Sequence, residues 1–216
     1  MAEPTQIDRS RLRSDAARNR DRIITAAHEL FTERGIDVPM TAIARRAEVG
    51  AATLFRRFGD RQALIAEVFA TQFDRCESVL EEAIADPDPW HGFCTLIEVV
   101  CRMQIEDRGF TQAFLSAAAD GVDIAGKRTE AEAGFAQIVR RAQNCGQLRP
   151  DFAPSDITMI LLANGGLSQA PEEHAPDLSR RLVAYLLRIF ATDAARPQSP
   201  LPRPSTMGLH EVLPSA

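Results

Sequence analysis

The segment 22–64, RIITAAHELFTERGIDVPMTAIARRAEVGAATLFRRFGDRQAL, limits what this chain can fold into more than any other. Ile23, Ala27, Leu30 and Phe31 stand at i, i+4, i+7 and i+8, the apolar stripe of a helix. Gly35 follows as a left-handed C-terminal stop would. Pro39 suits the cap or first turn of a second helix, which turns Ile43, Ala44 and Ala47 inward and Arg45 and Arg46 outward. Glu48-Val49-Gly50 reads as a turn, and a third helix offers Leu54, Phe55 and Phe58 for packing. Gly59 ends it, and Asp60 caps a fourth helix carrying Leu64, Ile65, Val68 and Phe69. A tight turn between two short helices, braced by a third, is a helix-turn-helix, so DNA is the leading partner.

Once the apolar face is assigned, Ala51, Ala52, Thr53, Arg56 and Arg57 are left over on the third helix. Small residues let a backbone approach the floor of the major groove. Arginine bridges guanine O6 and N7 or neutralises a phosphate, and threonine bonds a phosphate or a base edge. Two arginines on a helix also suit a solvated face, so the weight rests on the frame around them. Ahead of the frame stand Arg9, Arg11, Arg13, Arg18, Arg20 and Arg22 against Asp8, Asp15 and Asp21. Residues 1–20 therefore read as a flexible arginine-rich arm that follows the minor groove or the phosphates, or as a solubilising leader. They hold no apolar core of a signal peptide.

Residues 22–66 resemble the N-terminal domain of TetR-family transcriptional regulators. The resemblance lies in Ile23-Ile24-Thr25-Ala26-Ala27-His28-Glu29-Leu30-Phe31, Gly35, Ile43-Ala44, Ala47-Glu48-Val49, Thr53-Leu54-Phe55-Arg56-Arg57-Phe58 and Arg61-Gln62-Ala63-Leu64. It covers about a fifth of the chain, and the motifs are specific only together. Three positions depart from the pattern: Glu48 replaces the turn glycine, Phe55 the tyrosine whose hydroxyl reaches a phosphate, and Ala51 an early lysine. The resemblance thus implies DNA binding with weakened backbone contacts, partly restored by Arg57 and Arg61, and an affinity that falls with salt. The expected contacts are Thr41, Arg45, Gly50, Ala51, Ala52, Thr53, Phe55, Arg56, Arg57 and Arg61.

Charge is divided unevenly. Residues 1–68 hold 12 basic and 10 acidic side chains, while the rest holds 13 and 20, within a net charge of −5. That asymmetry suits a DNA-facing head on an acidic body held away from phosphates. At 216 residues the chain can bury a core beside a small head, and no run approaches the roughly 18 apolar residues of a membrane span. A cytoplasmic protein is expected. Cys76, Cys94, Cys101 and Cys145 show no metal-site spacing, and Cys94 and Cys101 are too far apart on one helix to pair, so free thiols are expected. Thiol redox sensing is the minor alternative. His28, His91, His174 and His210 are scattered, and no nucleophile elbow, phosphate loop or dinucleotide fingerprint occurs. The chain is therefore read as no enzyme, with no catalytic residue, metal or cofactor.

Beyond the head the periodicity stays helical. The fourth helix should continue to about residue 85, where Asp86-Pro87-Asp88-Pro89 breaks the chain. Further helices are expected near 89–108, 110–119, 128–144, 155–167 and 177–193, with a loop at 120–123. Pro197, Pro200, Pro202, Pro204 and Pro214 mark 195–216 as a disordered tail. The fold is all-α: an arm (1–20), a helix-turn-helix head (21–66), a helical effector and dimerisation body (67–194), and the tail.

The resemblance implies that the last two long helices form a four-helix dimer interface with a second chain. Ile160, Ala163, Gly166, Leu182, Tyr185, Leu186 and Ile189 are the expected contacts, with more apolar surface than one helical face needs. A homodimer reads two half-sites about 34–36 Å apart, or a multiple of that, so a palindromic double-stranded operator is expected. An effector pocket would be lined by Phe93, Ile97, Cys101, Gln104, Phe110, Phe114, Phe135, Met159 and Asn164, although such a stripe also suits plain core. The reading is a ligand-responsive regulator, a repressor that an unknown small molecule releases from DNA. A helical protein-interaction module with weak or lost DNA binding is the alternative.

Overall fold

From residue 6 to 34 no glycine or proline interrupts the chain, and one helix, α1 (Gln6–Arg34), fills the whole span. The computed structural model describes residues 6–116, 124–195 and 200–206. The expected flexible arm is therefore corrected from residue 6 onward: the alanines, leucine and arginines there are good helix formers and extend α1. Residues 1–5 lie outside the described residues. The expected stop at Gly35 has φ +82°, and its N–H bonds the Phe31 carbonyl at 3.0 Å.

The head continues with α2 (Met40–Arg46), capped by Pro39, and α3 (Ala51–Phe58), capped by Gly50. Asp60 accepts a bond from the Ala63 N–H at 2.8 Å and starts α4 (Arg61–Val68). The long fourth helix expected to reach residue 85 is broken at Phe69, and α5 (Ala70–Ala85) follows. Phe69 is buried and packs tilted against Phe31 and Phe110, which places the break over the core.

Asp88 caps α6 (Pro89–Glu106) by accepting from the Trp90 and His91 N–H groups, with Pro89 in the first turn. Then come α7 (Arg108–Ser116), α8 (Ile124–Asn144), α9 (Asp156–Gly166) and α10 (Ala175–Phe190). The expected loop at 120–123 lies outside the described residues. Among the described residues every long element is a helix, and none is long and apolar enough to cross a membrane.

Two apolar cores hold the molecule. One joins Ile23, Leu30, Phe31, Leu54, Phe58 and Leu64 of the head to Phe73, Met103 and Phe110, so the head's core does not stop at residue 66. Here α7 crosses α1 closely: a Cβ on Gly109 would lie 3.0 Å from Phe69 Cζ and 3.3 Å from the Phe31 backbone. The second core stacks Trp90 on Phe93 and packs Phe135, Phe152 and Phe190 around them. The expected disordered tail is corrected at 200–206, which lies along α10: Arg181 donates to the Pro202 carbonyl, and Ser205 Oγ is 3.5 Å from His174 Nδ1. Residues 196–199 and 207–216 lie outside the described residues.

Candidate nucleic-acid interface

Helix α3 is split lengthwise by its own sequence. Leu54 and Phe58 are buried, while Ala52, Phe55, Arg56 and Arg57 are exposed, Phe55 at 45%. Ala51 and Thr53 are half-buried at its start, next to the exposed Gly50. On α2, Thr41 and Arg45 face outward. Arg46, the other outward arginine, is held by Glu29 at 2.7 Å and Glu33 at 3.4 Å, which raise its pKa and keep it on α1. Arg61 is half-buried, and its guanidinium donates to the Ile36 carbonyl at 3.2 Å beside Asp37. It braces the loop ahead of α2.

The turn between α2 and α3 carries the Glu48 departure. Glu48 adopts φ +53°, the left-handed region usually left to glycine. Its N–H bonds the Arg45 carbonyl at 3.2 Å, and the Val49 N–H bonds the Ala44 carbonyl at 2.9 Å, which makes a Schellman C-terminus for α2. Arg22 on α1 clamps the turn, donating to the Ala47 and Glu48 carbonyls and to the Glu48 carboxylate. Arg20 pairs with Glu67 on α4. Both arginines, read from sequence as part of a DNA-following arm, are tied to the head instead; no local pattern signals a partner 26 residues away.

A cavity of about 190 Å³ opens among α5, α6, α7, α8 and α9. Of the expected lining, Gln104, Phe110 and Phe135 face it. Phe93, Ile97 and Cys101 are corrected: they lie buried in the second core. Asn164 is also corrected, since it sits in a buried network. Its Nδ2 donates to the Cys101 carbonyl at 2.9 Å and to Gln104 Oε1 at 2.8 Å, and its Oδ1 accepts from Ser179 at 2.7 Å. Met159 is corrected too: it is 57% exposed and forms no part of the cavity wall. The Phe114 side chain lies outside the described residues. Residues missed from sequence include Phe73, Leu80, Leu96 and Val100, whose helical spacing is that of ordinary core.

Asp107 connects this cavity to the head. Its Oδ1 accepts from the Phe110 N–H at 2.9 Å and caps α7, on which Phe110 and Thr111 line the cavity. Its Oδ2 lies 3.0 Å from His28 Nε2 on α1 and accepts from Gln72 on α5 at 3.0 Å.

The outer face of α9 and α10 is apolar. Met159, Leu162, Tyr185 and Ile189 are 57%, 65%, 44% and 59% exposed, with Ala163 and Gly166 on the same helices and Leu182 and Leu186 beside them. Ile160, an expected interface residue, is corrected: it is 1% exposed and belongs to the monomer's core. The four cysteines are free. Burial pushes the Cys76 thiol up to about 11 and those of Cys94 and Cys101 to about 12, which disfavours the thiolate at these three positions.

Comparison with known proteins bears on the same elements. A family model described as bacterial regulatory proteins, tetR family, matches residues 23–68. A second, described as the transcriptional regulator SbtR-like C-terminal domain, matches residues 88–188. An HTH-type transcriptional regulator of Staphylococcus aureus (strain USA300) is 39% identical over 64 residues, 29% of this chain and 35% of that protein, so the match spans about a third of the relative's length. The TetR-family regulator PfmR of Thermus thermophilus has a similar structure: TM-score 0.62, 21% identity, 78% of this chain and 95% of that one. So does FadR of Bacillus subtilis in complex with stearoyl-CoA: TM-score 0.52, 17% identity, 77% and 96%. At these identities the two structures speak for the fold alone.

Proposed function

Because the chain belongs to the TetR family of bacterial transcriptional regulators, which are DNA-binding proteins and not enzymes, we propose that it is a homodimeric repressor released from its operator by a small molecule in the cavity. The observation that carries this reading is the outward row of α3, with Ala52, Phe55, Arg56 and Arg57 opposite buried Leu54 and Phe58. Ala52 and Gly50 permit close approach to base edges, and Arg56 and Arg57 supply the charge. Thr41, Arg45, Ala51, Thr53 and Phe55 border them, and Arg61 acts chiefly as a brace.

The apolar outer residues of α9 and α10 support pairing with a second copy, since exposed Met159, Leu162, Tyr185 and Ile189 are costly in water. The Asp107 contacts support ligand response: occupancy that shifts α7 also moves the anchor of His28 on α1. A ligand favouring the shifted state moves the population away from the DNA-binding one. That a similarly folded regulator holds stearoyl-CoA supports a ligand role for the body.

Selection of genomic fragments by the purified protein tests the reading. Retained fragments should share a two-fold symmetric site, and Arg56→Ala and Arg57→Ala should lose it. No fragment retained even at low salt would overturn it in favour of a protein-interaction module.

A further inference from the structure

Resting on the reading of the cavity as the effector site, we propose that its occupant is a neutral, apolar molecule about the size of two fused aromatic rings. Size comes first. A cavity of about 150 Å³ lined by Leu, Ile and Phe stays dry and takes benzene. This one, at about 190 Å³, has room for one further ring.

The wall says what the molecule is made of. Phe73, Leu80, Leu96, Val100, Met103 and Phe135 form it. Its polar member at depth, Gln104, donates from Nε2 to the Leu161 carbonyl at 2.9 Å and accepts from Asn164 at 2.8 Å. Thr111 leans on the Asp107 carbonyl at 3.4 Å. Among the described residues, no buried side-chain nitrogen or oxygen lacks a partner. At depth a polar ligand group would meet mostly carbon and a Gln104 amide already bonded through both its nitrogen and its oxygen, which disfavours it against an apolar group. Cys76, in the same wall, is a neutral thiol.

The mouth argues against an anion. Lys127 and Arg128 stand there, but Lys127 Nζ is 3.1 Å from Glu77 and 4.0 Å from Asp74, and Arg128 Nε is 3.9 Å from Glu132. Glu130 adds a further carboxylate to the lining. A fatty-acid or acyl-phosphate head would have to displace acids already in place. A cation would find carboxylates at the rim but none inside, so charge of either sign is held out of the apolar space.

Calorimetric titration with naphthalene, 1-naphthoate and 1-naphthylmethylammonium tests this. Naphthalene should bind and raise the unfolding midpoint, and each charged analogue should bind at least about tenfold more weakly. Ala131 is half-buried on α8 and lines the cavity. Ala131→Leu adds volume there without removing a core side chain, so it should weaken naphthalene at least about tenfold with no fall in the unfolding midpoint. Naphthalene that fails to bind at saturation, a charged analogue that binds as tightly, or unchanged binding by A131L would overturn the proposal. Should naphthalene fail while genomic fragments are still selected, only the effector class is wrong. Should naphthalene bind while no fragment is retained, the cavity assignment stands and the repressor reading falls.

Discussion

Arg22 donates to the Glu48 carbonyl at 3.0 Å and meets its carboxylate at 3.2 Å, so the first helix holds shut the one left-handed non-glycine turn among the described residues. The left-handed conformation costs a side chain about 1–2 kcal/mol. Glycine removes that cost but adds about 0.5–1 kcal/mol of unfolded-state entropy. The ion pair is largely exposed and worth little. Glu48→Gly is therefore expected to be neutral or to stabilise the protein by up to about 1 kcal/mol, and Glu48→Val to destabilise it by about as much. Urea denaturation of the two variants checks the sign.

Arg56 and Arg57 serve different contacts if α3 lies in a major groove. Replacing an arginine that reads a base should cost about 1–3 kcal/mol and relax sequence preference, whereas replacing one that neutralises phosphate should lower the salt slope by about one. Titrations of R56A and R57A against the selected operator at several salt concentrations separate the two roles. If neither variant changes affinity, α3 is not the reading element.

Ile189 and Leu162 stand on the proposed dimer face with little burial in the monomer. Ile189→Glu and Leu162→Glu should each convert a dimer to monomer in sedimentation velocity while leaving helix content intact. Operator affinity should fall with them, because one head alone reads one half-site.

Asn164 ties α6, α9 and α10 together through its bonds to Cys101, Gln104 and Ser179. Asn164→Ala strands Gln104 Oε1 and the Ser179 hydroxyl in the core and takes a second bond from the Cys101 carbonyl, and a cost of about 3 kcal/mol is expected. Ser179→Ala removes only one of those bonds and should cost about 1 kcal/mol. Equal losses would mean that the network does not act as a unit.

His91 Nδ1 lies 2.6 Å from Asp86 Oδ2 at the α5–α6 turn. That hydrogen bond raises the His91 pKa above 6.5 and lowers that of Asp86 below 3.8. The His91 contribution is complete below its unfolded value and is lost as pH rises through the raised folded one. The Asp86 contribution is present above its unfolded value and is lost as pH falls through the depressed one. Mild acid is therefore where the pair helps most. NMR titration should find the His91 pKa above 6.5, returning toward that value in Asp86→Asn.

Much of the helical plan was legible because its punctuation is local. Gly35, Pro39, Gly59, Asp60, Asp88 and Pro89 act on the peptide units beside them, and each stands at the helix end it signalled. The break at Phe69 has no such mark, since it follows the packing of Phe69 under α1 and α7.

The amino-acid order by itself determined the helix-turn-helix head and the all-helical body, because periodicity and capping are properties of neighbouring residues. Tertiary structure alone decided what each apolar stripe faces. Met159, Ile160 and Leu161 are consecutive, yet the first is exposed, the second is core and the third lines a cavity. It likewise turned Arg22 into a clamp and Asp107 into a link between cavity and head. A stripe reveals that a face seeks apolar company or a charge seeks an opposite. Which surface meets it depends on helices distant in sequence.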